Sequence, residues 1–181
     1  ELNEINYEAV PSVAMKRYAK AFQKHNVARL EKFIEAVKSG EAKVNSSVLY
    51  PADFFSGNIH KEVAKIQWDA LPNYIAEGIN ALAVVDTSGS MWGDPFNIAA
   101  SLGIYLAERL SGPFKDTVMS FSEKAHLFDI SQGDIFDKFN YLERNSIVAN
   151  TNLQSVFDLI LSTAVKYNVP QSEMVNRIII L

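Results

Sequence analysis

Three oxygen-bearing side chains follow a short apolar run at alternate positions, namely Asp86, Ser88 and Ser90 in the stretch ALAVVDTSGSMWGDP, residues 81–95. If the backbone stays extended after that run, alternate side chains project to the same side and the three groups converge. A hard cation such as Mg²⁺ takes oxygen ligands and keeps several waters, and Gly89 permits a tight backbone between the serines. The spacing predicts a metal site for Mg²⁺, with Mn²⁺ or Ca²⁺ as alternatives.

Each of these residues also has a purely structural interpretation. Asp86 could cap a turn, and Ser88 and Ser90 could satisfy backbone groups in the loop. Thiol chemistry and cysteine-ligated zinc are excluded because the chain has no cysteine. The histidines are isolated in the sequence, which disfavours a histidine metal site. They are His25, His60 and His126.

An enzymatic alternative is a metal-assisted phosphatase with Asp86 as the nucleophile. Haloacid-dehalogenase-like phosphatases usually carry a second aspartate two positions after the first, where this chain has Ser88. The sequence also lacks a G-x-S-x-G elbow around either serine and a G-x-x-x-x-G-K-[ST] phosphate loop. We therefore expect a protein that is not an enzyme.

The elements around the three residues predict an α/β fold for residues 80–181. ALAVV is a buried strand, DTVMSFS and AHLFDI form a hairpin, and NRIIIL is a further core strand. Helices alternate with these strands, one of them beginning at Asp94 as N-cap with Pro95 in the first helical position. We expect a doubly wound, mostly parallel sheet with one antiparallel edge hairpin. In such a sheet ligands bind beyond the carboxyl ends of the strands, where Asp86 lies.

Another helix is predicted before the last strand by apolar residues at helical spacing, all expected on one buried face. These residues are Leu153, Val156, Phe157, Ile160, Leu161, Ala164 and Val165.

Residues 1–79 are predicted to form an α-helical region. The first helix would use Ser12 as its cap, the second would end at Gly40, and Pro72 would break the third, in which Trp68 is expected to pack. The apolar face of the first helix is expected to contain Val13, Ala14, Tyr18, Ala21 and Phe22.

Charge and hydropathy limit the partners and the compartment. Residues 80–181 carry seven Lys or Arg and eleven Asp or Glu, an acidic balance that disfavours nucleic acid there, while residues 1–79 carry ten of each. No apolar run approaches the roughly 18–20 residues of a membrane span, and the first residues lack the pattern of a signal peptide. We expect an intracellular, cytoplasmic protein without membrane contact, and a piece of a longer chain, since RIIIL ends inside an apolar run.

The motif DTSGS after an apolar strand resembles the D-x-S-x-S signature of von Willebrand factor A domains, with which their metal-ion-dependent adhesion site begins. The resemblance extends over residues 80–181 and implies that Thr151, in a later loop, joins Ser88 and Ser90 as a metal ligand. The family's second aspartate follows a later core strand, which here would be RIIIL, and the sequence reaches Leu181 before any such residue. The resemblance thus implies a domain truncated at its C-terminal side.

Several segments, VPSVAMKRYAKAF, EAVKSGEAKV and TNLQSVFDLIL among them, resemble the uncharacterised DUF2828 family, in which a helical region precedes a von Willebrand A-like domain. The Ro RNA-binding protein has a more distantly similar architecture, so a ribonucleoprotein component is a further alternative. The leading expectation is a protein-binding module whose Mg²⁺ coordinates an acidic residue of a partner. Met91 and Trp92 would form an apolar lip for that partner, or would pack under the following helix.

Overall fold

The structure, a computed structural model, describes residues 4–76, 78–147 and 149–181. Two compact units divide the chain, Glu1–Asn73 and Tyr74–Leu181. Within the described ranges, every helix is too short or too polar to cross a lipid bilayer.

The first unit is built from helices α1 (Ser12–His25), α2 (Val27–Lys38) and α3 (Lys61–Asp69). Short 3₁₀ segments at Tyr7–Ala9 and Pro51–Phe55 complete it. The three helices bury one common apolar cluster, so none of them would be stable without the others. Its buried members on the helices are Met15, Ala19, Phe22, Leu30, Phe33, Ile34, Val63 and Ile66.

The prediction of which residues form the buried face of α1 is wrong in part. Val13 and Tyr18 are 43% and 50% exposed, whereas Met15 and Ala19 are fully buried. The expected cap is also wrong, because Pro11 occupies the N-cap position and Ser12 is a buried first helical residue. The helix is therefore rotated relative to the sequence expectation, and Phe22 is the member of the expected face that is fully in the core.

Trp68 packs in the first unit as predicted. Its side chain is 1% exposed and meets the rings of Phe54 and Phe55 edge-on, at centroid distances of 5.4 Å and 5.9 Å. Edge-to-face contacts at this distance are favourable for aromatic rings. The neighbouring Gln67 Nε2 donates to the carbonyl oxygens of Ser12 and Asn45, which fixes α3 against both segments.

The second unit contains a four-stranded mixed sheet in the order β3-β2-β1-β4. The strands are β1 (Ala81–Asp86), β2 (Thr117–Phe121), β3 (Ala125–Asp129) and β4 (Arg177–Ile180). Strand β1 runs parallel to both β2 and β4, and β2 and β3 form the antiparallel pair. The predicted α/β class, with a mostly parallel sheet and one antiparallel hairpin at its edge, is confirmed.

Helices cover both faces of this sheet. Helix α4 (Asp94–Arg109) approaches β1 and β2 on the face where Val85 and Val118 lie beside Gly103. Helix α6 (Gln154–Lys166) packs on the opposite face through Val156 and Ile160. Alternate strand residues thus enter two different packing layers, which explains why ALAVV is apolar at every position. Helix α5 (Ile135–Asn145) packs against α4.

Two helix expectations are corrected in the second unit. Gly93, with φ of 94°, is the N-cap of α4, so Asp94 is its first residue and Pro95 its second. A backbone with positive φ favours glycine over aspartate at that position.

The predicted buried face of α6 is too wide. Val156, Ile160 and Ala164 are buried, whereas Phe157, Leu161 and Val165 are 48%, 63% and 69% exposed. Leu153 precedes the helix as its N-cap residue and is also exposed. The buried row of α6 therefore has four-residue spacing, and Leu159 beside it packs partly against the same core.

Candidate functional site

The site begins where β1 ends. Residues Ala81–Val85 are buried, and they deliver Asp86 to the carboxyl end of a strand in the middle of the sheet. The Oδ1 atom of Asp86 accepts a hydrogen bond of 2.7 Å from the backbone N–H of Ser88. This is an Asx turn, in which the carboxylate replaces a backbone acceptor. A 3₁₀ turn over Gly89–Met91 follows directly.

Ser88, Ser90 and Thr151 line one depression, with a volume of about 380 Å³. Gly89, Ala149 and Asn150 complete its lining. The two serine Oγ atoms lie 3.4 Å apart, and Ser88 is buried while Ser90 and Thr151 are exposed. The structure therefore brings three of the four residues of the expected metal site together. Asp86, the fourth, lies outside the lining and acts on it through its bond to Ser88.

Thr87 ties this loop to two other segments. Its side chain is 1% exposed, and both its N–H and its Oγ1 donate to the carbonyl oxygen of Phe121, at 2.9 Å and 3.1 Å. Oγ1 also lies 3.5 Å from the carbonyl oxygen of Ile147, in the segment that leads to Thr151. Thr87 therefore sets the position of the serines relative to the threonine.

Asn152 fixes the other side of the depression. Its N–H donates to the carbonyl oxygen of Ser122 at 2.7 Å, and its Nδ2 donates to that of Glu123 at 3.1 Å. Both acceptors belong to the turn between β2 and β3. The residue before Asn152 is Thr151, so this pair of bonds holds the threonine at the same end of the sheet as Ser88.

The donor set fits a hard divalent cation. Mg²⁺ and Ca²⁺ prefer oxygen ligands, and the lining offers hydroxyl oxygens from Ser88, Ser90 and Thr151 and an amide oxygen from Asn150. Neighbouring ligands of octahedral Mg²⁺ lie about 3 Å apart and those of Ca²⁺ about 3.5 Å, close to the observed 3.4 Å between the serine oxygens. Across the described ranges, no group of three or more His, Asp or Glu side chains offers a competing metal site.

Met91 and Trp92 directly follow Ser90 in the chain. Met91 is half-buried, and Trp92 is 40% exposed. The indole of Trp92 stacks on Phe96 with a centroid distance of 5.2 Å and an interplanar angle of 10°, and Phe96 in turn meets Phe139 edge-on at 6.0 Å. Trp92 thus packs against the following helix and also keeps an exposed surface, so the two expectations for it are compatible.

Strand β4 runs alongside β1 up to the site. The N–H of Asp86 donates to the carbonyl oxygen of Leu181 at 3.0 Å, and the N–H of Leu181 donates to that of Val84 at 2.9 Å. Leu181 therefore lies directly beside the aspartate at the carboxyl end of the sheet.

Sequence reasoning missed Thr87, Asn150 and Asn152. Thr87 lies between the predicted ligands Asp86 and Ser88, and in an extended chain its side chain points to the opposite side. Its β-branched side chain is the only local signal of its role. Asn150 and Asn152 flank Thr151, and their polar type is ordinary before a helix. The roles of Thr87 and Asn152 depend on carbonyl groups of β2 and its turn, which are distant in sequence.

Comparisons with known proteins place the chain among uncharacterised families. The family described as a domain of unknown function, DUF2828, matches residues 1–78, which confirms that resemblance. Uncharacterized protein L728 of Acanthamoeba polyphaga mimivirus is 28% identical over 200 aligned residues, which cover 99% of this chain and 35% of the viral protein. The chain therefore spans about a third of the length of that relative. No solved structure matches. A second domain of unknown function, DUF7788, matches residues 80–181, more than half of the chain, and the chain belongs to this family.

Proposed function

We propose that residues 80–181 form a von Willebrand A-like domain, preceded by a helical region over residues 1–79, and that it is a metal-dependent protein-binding module. Ser88, Ser90 and Thr151 would hold Mg²⁺, and the cation would coordinate an acidic residue of a partner protein. The observation that carries the proposal is that Thr151, about 60 residues further along the chain, lines one depression together with Ser88 and Ser90, next to Asp86.

The position of the depression supports a ligand site. It lies at the carboxyl end of β1, which pairs in parallel with β2 and β4 and has helices on both faces of its sheet. In open α/β sheets this edge is where loops meet and ligands bind. The doubly wound arrangement expected for a von Willebrand A-like domain agrees with this placement.

The chemistry of the lining supports an acidic partner. Its side chains are neutral, and the nearest carboxylate, that of Asp86, already accepts a hydrogen bond from Ser88 N–H. A divalent cation held mainly by neutral oxygens keeps most of its positive charge. An external carboxylate would therefore be bound strongly in a remaining coordination position, and Met91 and Trp92 would contact the partner beside it.

The phosphatase and ribonucleoprotein alternatives gain less support. Asp86 lies outside the lining of the depression, which is unfavourable for a nucleophile that must reach a bound phosphate ester. In the helical region, Lys16 Nζ is 3.1 Å from Asp53 Oδ1 and Lys20 bonds to Asn58, so two of the basic side chains of α1 that could contact RNA already have partners within the protein. The binding module is the function that we favour.

Isothermal titration calorimetry with MgCl₂ tests the proposal on the whole chain. The double variant Ser88→Ala, Ser90→Ala is compared with Ser162→Ala, Ser172→Ala, which removes two exposed hydroxyls elsewhere in the second unit. Mutation of residues that only hydrogen-bond to metal ligands already lowers metal affinity by about 10–100-fold. We expect at least that loss in the site variant and none in the control. Equal Mg²⁺ binding by both variants would refute the proposal.

A further inference from the structure

Two exposed apolar residues each lie two positions along the chain from a residue that lines the polar depression. Trp92, two residues after Ser90, is 40% exposed. Ile147, whose carbonyl oxygen is near Thr87 Oγ1, is 52% exposed. They belong to the two segments that supply the lining, so each segment carries an exposed apolar residue close in sequence to its polar ones. Single exposed apolar residues are common, but apolar surface adjoining a polar pocket is typical of a binding site.

Trp92 is held rigidly enough to serve as an anchor. One face of its indole stacks on Phe96, which is 1% exposed and contacts Phe139 below it. The ring therefore rests on the core of the second unit. A side chain that is already ordered loses little conformational entropy when a partner binds it, and rigid aromatic anchors are frequent at the centre of protein interfaces.

The residues that line the depression offer phosphate no cationic side chain. The two segments that contribute the lining, residues 81–108 and 145–165, contain no Lys or Arg. They do contain Asp86 and Asp94 near the site. A phosphate ester or nucleic acid carries several anionic oxygens and is usually recognised by cationic side chains. A single carboxylate can be recognised by the bound cation without any cationic side chain.

We infer that the partner is a protein segment in which one acidic residue has an apolar residue close to it in sequence. The carboxylate coordinates the cation in the depression, and the apolar side chain packs on the exposed part of Trp92. Ile147 supplies a second exposed apolar side chain. This inference rests on the proposed function, because it assigns the partner of the same site.

The test is a peptide array probed with the whole chain in MgCl₂. Each peptide carries one central aspartate, and its flanking positions are varied among Gly, Ser, Lys, Leu and Trp. For the native chain, we expect peptides with Leu or Trp near the aspartate to bind about tenfold more tightly than those with Gly or Ser, the scale of one well-packed aromatic contact. Replacing the aspartate by asparagine, or adding EDTA, should abolish binding.

Two variants separate the possible outcomes. Trp92→Ser should lose the preference for apolar flanks and keep the dependence on aspartate and Mg²⁺, whereas Leu161→Ala, which changes an exposed apolar residue on α6, should behave as the native chain. Aspartate-dependent binding without a flank preference, or a preference that persists in Trp92→Ser, would overturn this inference and leave the proposed function standing. Binding that ignores aspartate and EDTA, or no binding at all, would overturn both.

Discussion

Gly103 is the point at which helix α4 comes closest to the sheet, and its replacement by alanine tests the packing that positions β1. A Cβ atom there would lie 2.7 Å from Val85 Cγ2, with Val118 Cγ1 and Leu181 Cδ1 at 3.7 Å and 3.8 Å. The first distance is shorter than van der Waals contact, so α4 or β1 would have to move. Because Val85 precedes Asp86, that movement would be transmitted to the site.

Two opposing effects set the magnitude of Gly103→Ala. Alanine is about 1 kcal/mol better than glycine in a helix interior. Overpacking of a well-packed core costs about 1–3 kcal/mol. The clash involves a branched side chain on a buried central strand, which has little freedom to move, so the cost should be near the upper end. We expect Gly103→Ala to lower the free energy of unfolding of the second unit by about 1–2 kcal/mol.

In a Val85→Ala background, the effect of Gly103→Ala on the free energy of unfolding should have the opposite sign. Val85→Ala removes the clashing Cγ2 atom and by itself should cost about 2 kcal/mol through lost burial and a cavity. In that background the clash is absent, so Gly103→Ala should stabilise the second unit by up to about 1 kcal/mol through helix propensity. The interaction energy between the two sites should therefore be about 2–3 kcal/mol, within the range for residues in direct contact.

Urea denaturation followed by tryptophan fluorescence measures these changes unit by unit. The chain has two tryptophans, Trp68 in the first unit and Trp92 in the second. A Trp68→Phe background leaves Trp92 as the reporter of the second unit, and all four members of the cycle are compared in it. If Gly103→Ala stabilises the second unit by the same amount in the native chain and in the Val85→Ala variant, the close approach of α4 to β1 is refuted.

Three further predictions concern single side chains. Thr87→Val should cost the second unit about 1 kcal/mol in urea denaturation, because it removes the Oγ1 bond to Phe121; Thr87→Ser should restore it, and equal stability of all three chains would contradict this role. Burial lowers the pKa of His60 below its ordinary 6.5, and its neutral Nδ1 caps α3 by accepting from Val63 N–H. That stability is present above pH 6.5 and is lost as the pH falls through the folded-state pKa, by about 1 kcal/mol for a cap; His60→Asn should flatten the pH dependence in thermal denaturation, and an unchanged profile would refute it. Asp134→Ala should cost about 1 kcal/mol by removing the capping box of α5, and Asp134→Ser should recover most of it in the same assay.

The sequence predicted the elements whose signals are local. ALAVV could be assigned to a buried strand because both faces of β1 are covered, which leaves no polar alternation. The buried face of α6 could not be predicted, because Phe157 and Leu161 are as apolar as Val156 and Ile160. Which of these residues touch the sheet depends on the rotation of the helix about its axis.

The candidate site divides in the same way. Asp86, Ser88 and Ser90 could be singled out from their spacing alone, since they follow one strand. Thr151 entered through a resemblance, because nothing local distinguishes it from an ordinary residue before a helix. The role of Thr87 depends on the carbonyl group of Phe121, and parallel pairing of β1 with β2 is what brings that group within reach.

Localisation of the bound cation by paramagnetic NMR tests the proposed metal site most directly. Mn²⁺ takes similar oxygen ligands and broadens the amide signals of nearby residues. Added at substoichiometric amounts to the ¹⁵N-labelled chain, it should first broaden Ser88, Ser90 and Thr151, and excess Mg²⁺ should restore those signals. Broadening that is instead centred on exposed carboxylates such as Asp129 and Asp137, with Ser88 and Thr151 unaffected, would contradict a metal site at the end of β1.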